Sequence, residues 1–149
     1  MSSASIADDF PENCRKEVRA VERGESVRLD LSSKGLTSLP KSIAKLVSLK
    51  VLNVGRNQLA SLPDSIAELV NLKGLDVSSN QLVSLPKSIA ELVNLKTFSE
   101  TNNPLQNPPL DVAARGIDAI ARYFAELKQV RPTALAAAAV RAITNRPPT

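Results

Sequence analysis

The chain has 149 residues, one ordinary domain's worth, and 43% of them are apolar but only 3% aromatic, so any core must be aliphatic. Its net charge of +4 comes from 19 basic and 15 acidic side chains without like-charge blocks: residues 1–26 sum to −2, and residues 27–110 and 111–149 to +3 each. With no histidine, Ser-His-Asp and Cys-His catalysis and histidine-bound metals are excluded, and Cys14 alone forms neither an internal disulfide nor a structural zinc site.

No apolar run reaches the eighteen or so residues of a membrane span. The start, Met1 to Asp9, has neither the basic region nor the apolar core of a secretory signal. No Asn-x-Ser/Thr sequon occurs, which together with the lone cysteine leads us to expect a reducing, intracellular (cytoplasmic) location.

Taken in chain order, the first element is a helix expected from about Asp9 to Arg23. Phe10, Cys14, Val18 and Val21 are spaced 4, 4 and 3 apart, one face of a helix, and Gly24 is placed to stop it. Cys14 lies on that apolar stripe, where a free cysteine behaves as a small buried hydrophobe rather than a nucleophile.

A 23-residue period then takes over: Leu29, Leu52, Leu75 and Phe98 share it, as do Leu36, Leu59, Leu82 and Leu105, and the Leu-Pro pairs at 39, 62 and 85. Residues 52–74 and 75–97 agree at 17 of 23 positions. Within a unit, Leu52-Asn53-Val54 alternates at strand spacing, whereas Leu59, Leu62, Ile66, Leu69 and Leu72 fall mostly three or four apart, the spacing of a helical or 3₁₀ return. One such unit cannot bury its apolar side alone. Stacked units bury a continuous core, with parallel strands about 4.8 Å apart on a concave side. The expected fold class is therefore an α/β solenoid with helical caps.

Asn57, Asn80 and Asn103 stand in the turn after each strand, where an amide with two donors and an acceptor satisfies backbone groups as the chain bends inward. Repeated in register, they predict a structural ladder; Lys34 replaces them in the first unit, which has only one neighbouring unit. Pro40, Pro63 and Pro86 lack an N–H and so are expected where strand pairing has ended.

Residues 29–110 resemble leucine-rich repeats of the 23-residue intracellular type, L-x-L-x-x-N-x-L-x-x-L-P-x-x-I-x-x-L-x-x-L. The resemblance is to the Ras-suppressor and Shoc-2-like proteins and to the plant Ras-group-related leucine-rich-repeat proteins. Asn103 to Ile117 is similar to segments that close such solenoids, and similar segments precede the GTPase domain of Roco proteins.

After Pro108-Pro109, Asp111 is placed to start a second helix with an apolar stripe of Ile117, Ile120, Phe124 and Leu127. Gly116 falls inside it, at a cost of about 1 kcal/mol against alanine, so a packing reason is expected for the glycine. Lys128 and Arg131 suit its C-terminal end, and Pro132 stops it. Residues 133–144 are alanine-rich and read as a third, weaker helix that finishes the cap or as a frayed tail, with a face of Leu135, Ala139, Ala142 and Ile143 that docks a partner as the alternative. The chain divides into an N-terminal cap (1–26), about 3.5 repeats (27–110) and a C-terminal cap and tail (111–149).

Chemistry is scarce. None of the five glycines forms a phosphate loop, and Asp30 and Asp76 recur at one repeat position, which accounts for them without a carboxylate pair. No enzyme activity, cofactor or metal is expected. Nucleic acid is disfavoured as a partner, because lysines alternate with acids along the convex side.

What the resemblance implies is a protein partner on the concave face, a monomeric chain and an adaptor or regulatory role in signalling. Flanking the buried leucines, Arg28, Val51, Gly74 and Thr97 form one outward column and Asp30, Asn53, Asp76 and Ser99 the next. Ser32, Gly55, Ser78 and Thr101 follow, then Ser33, Arg56, Ser79 and Asn102. Four of the six differences between the second and third units fall in these columns, which reads either as a face diversified to fit a partner or as drift on a solvated surface. Another class of reading makes the chain the recognition arm of an enzyme, such as a Roco-type GTPase, carried on another domain or partner chain. A third has a basic surface binding nucleic acid or anionic lipid, with steep salt dependence. Glu100 stands where Leu31, Val54 and Val77 are apolar, which predicts an imperfect fourth strand.

Overall fold

The structure, a computed structural model, describes residues 5–130. Four three-residue strands, β1 (Arg28–Asp30), β2 (Val51–Asn53), β3 (Gly74–Asp76) and β4 (Thr97–Ser99), form one parallel sheet in sequence order. The register is that of the repeat: Leu29 pairs with Leu52, Leu52 with Leu75, and Leu75 with Phe98. Each coil is thus an α/β unit of a solenoid, with its leucines inward.

The return path is 3₁₀-helical, at Lys41–Lys45, Asp64–Glu68 and Lys87–Glu91. Pro40, Pro63 and Pro86 stand immediately before these turns with φ of −69°, −69° and −66°, and their carbonyls accept from Ile43, Ile66 and Ile89. The missing proline N–H costs nothing there, since strand pairing has ended. The returns share no sheet, so side chains tie them instead. Asn71 Nδ2 donates to Val47 O and Asn94 Nδ2 to Val70 O, both at 2.8 Å, and Ser65 and Ser88 Oγ donate to Lys41 O and Asp64 O.

The core is one aliphatic stack. Leu29, Leu52, Ile43, Ile66, Ile89, Leu59 and Leu82 are essentially inaccessible, each such burial contributing roughly 1.5–3 kcal/mol. Helix α1 (Glu12–Glu22) closes its N-terminal end, burying Cys14, Val18 and Val21 beside Phe10. Gly24 takes φ of +74° just past the helix, and its N–H donates to Val21 O. A short 3₁₀ turn, Ile6–Asp9, precedes α1 and is tied to it by Glu22, whose carboxylate accepts from Ile6 N (2.9 Å) and Ala7 N (3.0 Å). Burial alone would raise the Glu22 pKa, but these amides and the Ser5 hydroxyl outweigh it and hold it below the usual glutamate value. Burial pushes the Cys14 thiol up, which keeps it protonated and inert.

The C-terminal cap differs from expectation. In place of one helix from Asp111 there are two, α2 (Leu110–Ala113) and α3 (Ile117–Val130), with Gly116 between them rather than inside. Gly116 has φ of +102°, and a Cβ there would meet no atom within 4 Å. The glycine is therefore required by its backbone conformation and not by packing. Ile120 and Phe124 are buried and Ile117 and Leu127 half-buried, so the apolar stripe itself is as the spacing predicts. The side chains of Lys128 to Val130, with Arg131, Pro132 and the alanine-rich stretch 133–144, lie outside the described residues. Strand β4 also forms in full register with β3; Glu100 follows it, is buried, and its carbonyl accepts from Asn103 Nδ2.

Candidate partner-binding face

The asparagine ladder sets the end of every strand. Asn57 Nδ2 donates to Leu31, Val54 and Gly55 carbonyls, while its Oδ1 accepts from Lys34 N (3.0 Å) and Leu36 N (2.9 Å). Asn80 repeats this with Val54, Val77, Ser78 and Leu59, and Asn103 with Val77, Glu100, Thr101 and Leu82. All three are buried. Lys34, which lacks this amide, is held by the cap instead: its carbonyl accepts from Asn13 Nδ2 at 3.1 Å, and its ammonium lies 4.0 Å from Glu17.

The residues flanking the leucines reach the concave surface unequally. Arg28, Asp30, Arg56, Thr97 and Thr101 are exposed, whereas Ser32, Val51, Asn53, Asp76, Ser78, Ser79 and Ser99 are half-buried. Gly55 and Gly74 are buried, because neighbouring side chains lean over them. A Cβ on Gly74 would lie 2.9 Å from Thr97 Oγ1; one on Gly55 would lie 3.1 Å from Asn53 Oδ1 and 3.3 Å from Asp76 Oδ1. The two glycines thus serve as floor rather than as contact side chains.

Asp30, Asn53 and Asp76 have a local duty invisible in the spacing. Asp30 Oδ1 accepts from Ser32 N (3.0 Å) and Oγ (2.6 Å), Asn53 Oδ1 from Gly55 N (2.9 Å), and Asp76 Oδ1 from Ser78 N (2.9 Å) and Oγ (2.6 Å). Each closes its own strand with one oxygen. The Ser32 hydroxyl and amide hold the Asp30 carboxyl below the usual aspartate range, keeping this corner anionic.

The fourth column carries backbone strain. Ser33, Arg56, Ser79 and Asn102 have φ of 55°, 56°, 55° and 59°, the left-handed region in which side chains cost about 1–2 kcal/mol. Only Asn102 is a residue type that signals such a position. Arg56→Gly is therefore expected to raise stability by about 1 kcal/mol, seen as a melting temperature a few degrees higher; an unchanged or lower value would show that Arg56 makes compensating contacts.

Across the sheet these columns enclose two adjoining depressions. One, of ≈ 320 Å³, lies over β2–β4 between Val51, Asn53, Gly74, Asp76, Thr97 and Ser99. The other, of ≈ 330 Å³, lies at the strand ends between Ser32, Asn53, Gly55, Arg56, Asp76 and Ser78. Asn53 and Asp76 line both, so the two form one shallow trough crossing the sheet. No three potential metal ligands converge among the described residues, and no helix there is long and apolar enough to cross a membrane.

Residues 12–114 match the family model of the leucine-rich repeat region. None of the curated proteins matches the sequence. Among solved structures, a leucine-rich-repeat protein of Leptospira interrogans is 34% identical with a TM-score of 0.57, over 64% of this chain and 25% of that one. The leucine-rich-repeat ectodomain of the receptor kinase SOBIR1 from Arabidopsis thaliana is 29% identical with a TM-score of 0.47, over 52% of this chain and 44% of that one. The chain therefore spans a quarter of the length of the Leptospira protein. The match over most of the described solenoid makes this chain a member of the leucine-rich-repeat family, whose domains are typically non-enzymatic and generally mediate protein–protein interaction.

Proposed function

We propose that the chain is an intracellular adaptor or regulator in signalling that holds a partner protein against its concave strand face. The observation that carries this reading is the trough floored by Gly55 and Gly74, since the substitutions between the second and third coils concentrate at its walls and floor. Sequence that varies there while the core and the ladder stay constant is what fitting a partner requires. Arg28 and Arg56, exposed at opposite ends of the strands, bracket the half-buried amide and carboxylate of Asn53 and Asp76. A partner with an acidic rim and a donor-rich centre complements that arrangement. A face four strands wide belongs at the small end of specific interfaces, near 1,000 Å² in total.

Affinity capture from source-cell lysate tests it, comparing wild type with Arg28→Glu/Arg56→Glu. Neither arginine side chain makes a hydrogen bond within the described residues, so circular dichroism is expected to be unchanged while capture of the specific partner is lost. Retention of the same partners by the variant would remove the concave face from consideration.

A further inference from the structure

The two edges of the sheet are finished differently. At β1 the outer groups of Arg28 are occupied, since Ser26 Oγ accepts from Arg28 N (3.1 Å) and donates to Arg28 O (2.9 Å), and α1 packs against the strand. At β4 the outer backbone groups are not. The carbonyls of Lys50 and Lys73 accept from the next coil's Gly74 N and Thr97 N, but that of Lys96 accepts from no backbone donor among the described residues. Val54 N and Val77 N donate to Asp76 O and Ser99 O, whereas Glu100 N has no such acceptor there. Between them, Phe98 follows Leu52 and Leu75, whose N–H and C=O face the following strand. Helix α3 packs against the 3₁₀ turn Lys87–Glu91, on the other side of the coil, and no helix among the described residues packs extensively against β4.

An open edge commonly recruits another strand. The sequence of this one, Lys96-Thr97-Phe98-Ser99-Glu100, is complementary to itself when reversed. Set antiparallel about Phe98, it places Lys96 opposite the second copy's Glu100, Thr97 opposite Ser99, Phe98 opposite Phe98, and Glu100 opposite Lys96. The free backbone groups fit the same register. Phe98 exchanges both bonds with its counterpart, and each Lys96 carbonyl receives a Glu100 N–H, using all four groups left over on each chain. We infer that a second copy of this chain docks here, β4 to β4, in a two-fold dimer, in place of the monomer that the repeat resemblance implies.

Glu100 selects the partner strand. Glu100 stands in the column of Leu31, Val54 and Val77 and is buried within its own chain, so a parallel or shifted strand laid beside it would bring it no counter-charge. Only the antiparallel register brings a lysine to it on both sides. Because the contact is isologous, it uses the β4 edge of both chains at once, and the assembly closes at two. The two-fold axis is normal to the sheet, so the concave faces lie on the same side and join into one eight-stranded surface. With only four interchain backbone bonds and short strands, association is weak and concentration-dependent.

Sedimentation equilibrium and amide NMR, each from dilute solution to about 1 mM chain, test the proposal. The expected result is a mass rising toward two chains, with the Phe98 and Glu100 amides shifting in parallel. Lys96→Glu alters an exposed side chain and sets like charges opposite each other at both ends of the pair. It is expected to raise the dimer dissociation constant about tenfold or more, and Lys96→Glu/Glu100→Lys to restore it. If the double variant misfolds, the single variant and the two amides still decide. A single-chain mass throughout would overturn the proposal, as would dimerisation indifferent to Lys96→Glu. So would a monomer whose Phe98 and Glu100 amides are protected at every concentration, the sign that residues 131–149 of the same chain occupy the edge.

Discussion

Asn80→Ala is expected to lower stability by about 3 kcal/mol. The Asn80 amide donates to Val54 O, Val77 O and Ser78 O at 2.9–3.2 Å, and its Oδ1 accepts from Leu59 N at 3.0 Å. Alanine removes two N–H donors, one of them shared between two carbonyls, and one acceptor, the equivalent of about three hydrogen bonds each worth about 1 kcal/mol net. The losses are unequal in kind. Val54 O still accepts from Asn57 Nδ2, Val77 O from Asn103 Nδ2 and Ser78 O from Arg56 N, so no carbonyl is stranded. The Leu59 N–H has no other acceptor and belongs to a residue with no accessible surface, so it is left buried and unpaired, the costlier outcome. The midpoint of thermal unfolding is expected to fall by roughly 9–15 °C. Asn80→Asp restores the acceptor for Leu59 but aims negative charge at three carbonyls, and is expected to be at least as damaging. A loss under about 1 kcal/mol for the alanine variant would mean that water takes over the ladder position.

Much of this architecture could be read from spacing alone, because the repeat enforces a single register. Once Leu29, Leu52, Leu75 and Phe98 stand 23 apart, stacking has one solution, and the Asn57, Asn80 and Asn103 ladder follows from their amide chemistry. What escaped was set by backbone torsion. Ser33, Arg56 and Ser79 are not types that signal positive φ; they hold it because their N–H groups are bonded to Gly55 O, Ser78 O and Thr101 O of the following coil. Gly116 was visible, but its reason was not: whether a glycine relieves a contact or supplies a torsion depends on the space around it. The columns of the candidate face were legible as positions. That Gly55 and Gly74 form its floor, and that Asp30, Asn53 and Asp76 each commit an oxygen to a serine or glycine of their own coil, required the geometry.

Phe10→Ala is expected to cost 3–5 kcal/mol by the usual measure of a large core deletion, and to express that cost at one end of the molecule. Phe10 is 2% exposed and packs with Ala7, Cys14 and Val18, none of which has any accessible surface. In a globular core, such a cavity weakens everything at once. A solenoid differs, because each coil contacts only its neighbours and stability is nearly a sum of coil and interface terms. Once the deletion costs more than the cap gains by docking, α1 detaches and further loss no longer reaches the distant coils. Hydrogen exchange separates the two behaviours. The expected result is fast exchange across Glu12–Glu22, intermediate protection of the first coil, which then exposes Leu29 and Leu31, and near-native protection around Leu75 and Val77. Uniform loss of protection from α1 to β4 would show instead that the four coils and their cap unfold as one unit, making the cap a condition of the candidate face rather than a lid on its end.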